Sequence, residues 1–210
     1  MRSPASPGLI AALLVTAAAT VAVMNGCLVP VKSTRGDTAE DAAGRGFLAD
    51  AVVANWWPGS ALAARRLIEQ YGVPDEVRPE HLVWRGNGPW TRTVVRNVTP
   101  PYGPAEDLGV LEQAIAYPLT PGQVVDLRAY DLKLGYERGT RELAARSDRE
   151  EVNFLRLNLA DDIVNHRVAP EQAKHLHARI LELENSGKSS PYMRGLRFAA
   201  QTEQTRAVYP

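Results

Sequence analysis

The chain has 210 residues with 24 basic and 24 acidic side chains, a balance that excludes the basic excess of a nucleic-acid binder and the acidic run of a solvating tail. At 45% hydrophobic and 23% charged residues it is globular, with length for one sizeable core or two small ones. A single cysteine, Cys27, excludes an internal disulfide framework and a cysteine-rich zinc site.

Residues 3–31 carry no charge, and within them residues 9–24 (LIAALLVTAAATVAVM) are almost wholly apolar, with Arg2 ahead of them. A positive start, an apolar middle of this length and small residues after it describe a bacterial secretory signal, whereas a hydrocarbon span needs about 20 apolar residues. Cys27 closes the run, inside Val23-Met24-Asn25-Gly26-Cys27. This segment resembles the lipobox of bacterial lipoproteins, with Gly26 in place before the cut and Met24 and Asn25 where that family prefers leucine and a small residue. The resemblance implies that residues 1–26 are a signal peptide and that Cys27 is acylated and becomes the first residue. It also implies a domain held at the bilayer, facing the periplasm from the outer membrane, since Leu28 and Val29 follow and no acidic residue does. An uncleaved anchor helix and an ordinary cleaved signal are the other readings of the same run.

Residues 27–46 read as the lipidated cysteine and a flexible tether, because KSTRGDTAEDAAGR is small, polar and without periodicity. A single α+β domain is expected over residues 47–187. Residues 47–57 (FLADAVVANWW) form an apolar lead-in ended by Pro58-Gly59, and Ser60 caps a helix over 61–70 that Gly72 and Pro74 end. Extended segments follow at 81–85, 91–98 and 110–117, with turn chemistry in Gly86-Asn87-Gly88-Pro89 and a stiff loop in Pro100-Pro101-Tyr102-Gly103-Pro104. In the second of them Arg92 and Arg96 share a side with Val94 and Val98.

Thr120-Pro121 starts a helix through about Tyr130, and Arg138-Gly139 offers the turn of a second hairpin, although residues 142–146 suit a helix as well. Ser147-Asp148-Arg149-Glu150 reads as a capping box opening a central helix to about Asn165, with Val152, Leu155, Leu159 and Ile163 on one face. Ala169-Pro170 starts the second of two C-terminal helices, closed by Asn185 and Gly187, and residues 188–210 read as a loosely ordered tail. The expected architecture is a small antiparallel sheet of three to five strands packed with helices.

The helix, the Gly72-Val73-Pro74 turn and the Trp-containing strands resemble the start of the small outer-membrane-assembly lipoproteins of the BamE and SmpA type, where helices precede a three-stranded sheet. Trp84, Asn87-Gly88-Pro89-Trp90, Leu111-Glu112-Gln113 and Asn153-Phe154-Leu155 also resemble a group of uncharacterised exported bacterial proteins, which implies no activity.

No nucleophile elbow, phosphate-cradling glycine loop, paired-histidine zinc motif or dinucleotide fingerprint occurs, so no cofactor or metal is implied. His175 and His177 stand two apart on a helix, point in opposing directions and read as surface residues. Asn158, Asp162 and His166 line one helical stripe, read as solvated, as are the neighbouring pairs Glu150-Glu151 and Asp161-Asp162. The aromatic group Trp56, Trp57, Tyr71, Trp84, Trp90 and Tyr102 adjoins Arg85, Arg92 and Arg96. Aromatics with arginines are what interfaces concentrate, while filling of a small core is the alternative reading.

The expected function is therefore a non-enzymatic envelope lipoprotein binding a protein or peptidoglycan. Trp90, Arg92 and Arg96 stand near the contact, with Trp90 the most exposed tryptophan. An exported enzyme acting on a cell-wall or small-molecule substrate, with Asp162 and His166 in its site, is the alternative. A subunit whose capped helix packs in an oligomer is a third reading.

Overall fold

Thr38 caps the first helix, its hydroxyl accepting from the Asp41 amide at 3.2 Å while the Asp41 carboxylate accepts from the Thr38 amide at 3.3 Å. This reciprocal box starts α1, Ala39–Val53, inside the segment expected to be tether, and Ala49 and Val53 anchor the helix in the core. The computed structural model describes residues 38–101 and 107–199. The signal segment, Cys27, the start of the tether, Tyr102 and residues 200–210 lie outside them.

Helix α2, Pro58–Tyr71, opens on a proline and closes at Gly72, whose φ of 80° is a conformation that suits glycine. Ser60 lies inside the first turn and does not cap it; its hydroxyl accepts from the Val98 amide at 3.0 Å. The strands are β1 (Glu76–Val77), β2 (His81–Asn87), β3 (Trp90–Arg96), β4 (Leu111–Ala116), β5 (Leu134–Glu137) and β6 (Glu142–Ser147). They form one antiparallel sheet in the order β1-β2-β3-β4-β6-β5, one strand more than expected. The added strand is the two-residue β1, too short to show a period.

Between β4 and β5 lies α3, Pro121–Tyr130, with Thr120 and Gln123 completing the expected cap. Helices α4, Glu150–Val164, and α5, Pro170–Asn185, follow β6. The expected capping box does not start α4. Ser147 is the last residue of β6, and the Asp148 carboxylate accepts the Leu108, Gly109 and Val110 amides. The Ser147 hydroxyl bonds the Arg149 backbone and the Glu150 carboxylate is taken by Gln70, Tyr71, Trp90 and Gln113, so the helix begins at Glu150 with no side-chain cap.

Alternation along the strands divides the sheet into two faces. Leu82, Trp84, Val95, Leu111, Ile115, Leu143 and Ala145 turn to the helices and join two core clusters, one with α1 and α2 and one with α3, α4 and α5. The opposite face carries Val83, Arg85, Arg92, Val94, Arg96, Glu112, Ala114, Ala144 and Arg146, as the pairings Arg85↔Arg92, Val94↔Glu112, Glu112↔Arg146 and Ala114↔Ala144 require.

The described part of the tail is fastened rather than loose. Asn158 donates to the Tyr192 and Gly195 carbonyls at 2.9 and 2.8 Å and accepts from the Arg197 amide at 2.7 Å. Met193 is buried, and the Tyr192 hydroxyl donates to Asp162 at 2.7 Å. Asn158 and Asp162 are therefore buried by the tail, not solvated. Asn158→Ala leaves two carbonyls and an amide without their partner, so stability falls by about 1–3 kcal/mol. Limited trypsin digestion followed by mass spectrometry is expected to show faster cleavage at Arg194 and Arg197 in that variant.

Candidate functional site: the open face of the sheet

On the face turned away from the helices, one carboxylate serves three guanidinium groups. Arg92 Nη1 meets Glu112 Oε1 at 2.8 Å, while Arg96 Nη1 and Arg146 Nη2 meet Glu112 Oε2 at 3.1 and 2.6 Å. Strand geometry dictates the grouping. Arg92 and Arg96 leave the same side of β3, Glu112 faces Val94 between them from β4, and Arg146 is the β6 partner of Glu112.

Glu112 is 8% exposed. Burial alone would raise its carboxyl, but the hydrogen bonds from Arg146 and Arg92 and the charge of Arg96 outweigh it and pull it from 4.5 down to about 2. The arginine side chains keep 30%, 37% and 50% of their surface for Arg92, Arg96 and Arg146. Val83, Val94 and Ala114, on the same face, are nonetheless buried, as happens when long charged side chains lay their stems over an apolar surface.

Beside Glu112 opens a cavity of about 260 Å³, lined by Leu108, Gly109, Leu132, Lys133, Ala144 and Arg146 among others. Gly109 is required there: its φ is 68°, and a Cβ would lie 2.9 Å from Arg146 Cγ and Cδ. The wall beyond it is fixed by ion pairs, Lys133 to Asp107 at 2.7 Å, Arg156 to Asp107 at 2.9 Å and Arg156 to Asp131 at 2.7 Å.

Two of the three side chains expected at a contact, Arg92 and Arg96, stand on this face. Trp90 does not. It is 1% exposed, donates through Nε1 to Glu150 at 2.6 Å and stacks on Phe154 with ring centroids 4.9 Å apart. Trp56 and Trp84 are buried too, with Nε1 donating to the Pro79 and Gly72 carbonyls, so most of the aromatic group fills the core. Arg146 escaped sequence reasoning because residues 142–146 suited helix and strand alike; only strand pairing places it opposite Glu112.

The remaining candidates are dispersed. Asp162 is engaged by Arg167 at 2.6 Å and by Tyr192, not by His166, which lies beyond the end of α4. Asp161 accepts from Tyr117 at 2.6 Å and from Arg167, and is buried. His177 is part-buried against the Tyr130 hydroxyl at 2.7 Å rather than a surface residue, and burial pushes it down to about 4. Glu150 receives four side-chain hydrogen bonds and is not a solvated residue. Among the described residues there is no group of three or more His, Cys, Asp or Glu placed to hold a metal ion, and no helix long and apolar enough to cross a membrane.

No family model matches the chain, and no curated protein or solved structure matches it either.

Two outcomes test this arrangement. Because the Glu112 carboxyl is lowered on folding, its contribution is complete above about pH 4.5 and is lost as pH falls towards about 2. Denaturant melts of Glu112→Gln are expected to lack that part of the acid dependence, about 2 kcal/mol once solvent screening of the exposed arginines is allowed for. Trp90→Ala, which empties a buried indole site, is expected to lower stability by about 3–5 kcal/mol in a thermal melt.

Proposed function

We propose that the protein is a membrane-tethered cell-envelope lipoprotein, anchored through acylated Cys27 on the outer membrane and facing the periplasm. Its α+β domain works without catalysis, by binding an envelope protein or peptidoglycan. The observation that carries the binding reading is the open face, where Arg92, Arg96 and Arg146 converge on one carboxylate and keep much of their surface free. Arginine is suited to such a role because its planar fork pairs with carboxylates through two parallel hydrogen bonds.

The tether reading rests on the position of Cys27 at the end of the apolar run. Eleven residues separate Cys27 from α1, a reach of about 36–40 Å at full extension. A domain on such a lead works close to the bilayer, so its partner is a component of the envelope.

Two measurements test the reading. The amino-terminal peptide of the native protein, taken from its own membranes, is expected to begin at a lipid-modified Cys27; a start at Met1 or Arg2, or an unmodified start near Cys27, overturns the tether. Envelope crosslinks are expected to disappear in Arg92→Gln/Arg96→Gln while circular dichroism still reports a folded domain. Crosslinks retained by that variant would move the contact off this face.

A further inference from the structure

The three guanidinium groups have more hydrogen-bonding capacity than the fold uses. Each presents five N–H donors, and on this face each places one nitrogen on Glu112. Arg92 has a second carboxylate, Glu142, at 3.8 Å, which is an ion pair without a hydrogen bond. Three cations on two carboxylates leave positive charge over, at the middle of a sheet face on which no described helix core residue packs.

The layout of that surplus is regular. At the backbone Arg92 and Arg96 stand four residues apart on β3, about 13 Å, and Arg146 lies two strands across, about 10 Å, while their guanidinium groups lean together onto the two oxygens of Glu112. An extended polypeptide repeats its side chains on one side every 6.6–7 Å or so, and carboxylates two residues apart therefore suit guanidinium groups that are gathered on the two oxygens of one carboxylate. The cavity beside Glu112 adds a second point of recognition. Leu108, Leu132 and Ala144 make its wall partly aliphatic, and Leu132 is 85% exposed at the rim. Its size suits an aliphatic side chain flanked by the charges of Arg146 and Lys133. None of the described side chains on this face is Trp, Tyr or Phe, so a sugar ring finds no platform to stack on, and the choice falls on a protein.

We infer that the open face docks an acidic segment of a partner protein, with its carboxylates on Arg92, Arg96 and Arg146 and an aliphatic side chain in the cavity beside Glu112. The inference rests on the binding reading above and names its partner. Glu112 then has two roles. It holds the three arginines side by side while the face is empty, and it competes with the incoming carboxylates for the same donors.

This competition gives a test with opposite signs. The full-length protein in detergent is titrated with the fluorescein-labelled peptide Glu-Ala-Glu-Leu-Glu-Ala-Glu and with its lysine-for-glutamate counterpart, and binding is followed by fluorescence anisotropy. The acidic peptide is expected to bind and to weaken with salt, while the lysine peptide does not bind. Arg92→Gln/Arg96→Gln is expected to weaken binding about tenfold or more, and Glu112→Gln to tighten it several-fold. A purely structural Glu112 predicts no gain in that second variant.

Absence of binding by the acidic peptide, equal binding of the lysine peptide, or unchanged or weaker binding in Glu112→Gln overturns the inference. Displacement of the peptide by phosphatidylglycerol vesicles or by soluble peptidoglycan fragments overturns the choice of a protein partner. If peptide binding fails while Cys27 is lipid-modified, the acidic segment is wrong and the tether stands; if binding holds while Cys27 is unmodified, the tether alone is wrong.

Discussion

Glu150 ties the two halves of the core together. Its Oε1 accepts from the Tyr71 hydroxyl at 2.5 Å, the Trp90 indole at 2.6 Å and the Gln113 amide at 2.8 Å, and its Oε2 accepts from Gln70 at 3.0 Å. These donors come from α2, β3 and β4, while the carboxylate sits in the first turn of α4, where the helix end favours negative charge. One side chain thus fixes both groups of helices against the same face of the sheet. Burial, followed by the bond to Glu150, pushes the Tyr71 hydroxyl well above its ordinary value, so the proton it donates stays in place.

Covering one face leaves the other with a different problem, which a second carboxylate solves in a different way. Glu150 is held by neutral donors, whereas Glu112 is held by three cations whose stems shield Val83, Val94 and Ala114. A neutral network of this kind is closed once its hydrogen bonds are made. A cluster of guanidinium groups around one carboxylate stays open, because each arginine keeps donors and surface in reserve. The chemistry available to a partner therefore lies on the uncovered face.

Much of this fold is legible in the residues. Helices α3 and α5 announce themselves through proline at the first turn, β3 through its β-branched residues, and the β2–β3 hairpin through the turn chemistry between its strands. What escapes is whatever depends on distant partners. The box at Ser147 fails because the serine hydroxyl bonds the Arg149 backbone and the Glu150 carboxylate is taken by Gln70, Tyr71, Trp90 and Gln113. The tail is orderly because Asn158 and Asp162, polar in the sequence, are buried by bonding it. Trp90 looks exposed beside a Gly-Pro turn and is buried because Glu150 and Phe154, about sixty residues on, receive it. Within the candidate site, Arg92 and Arg96 follow from alternation along one strand, but Glu112 and Arg146 join them only through strand order.

Occupancy of the arginine face where the protein works decides whether that face is a binding surface. Phenylglyoxal modification of arginines, read residue by residue by mass spectrometry, compares intact envelopes with the purified full-length protein. Arg65 on α2 and Arg179 on α5, both exposed and away from this face, serve as controls. Protection of Arg92, Arg96 and Arg146 in the envelope, with Arg65 and Arg179 modified equally in both samples, is the predicted result. Equal modification of all five arginines in both samples would contradict the account.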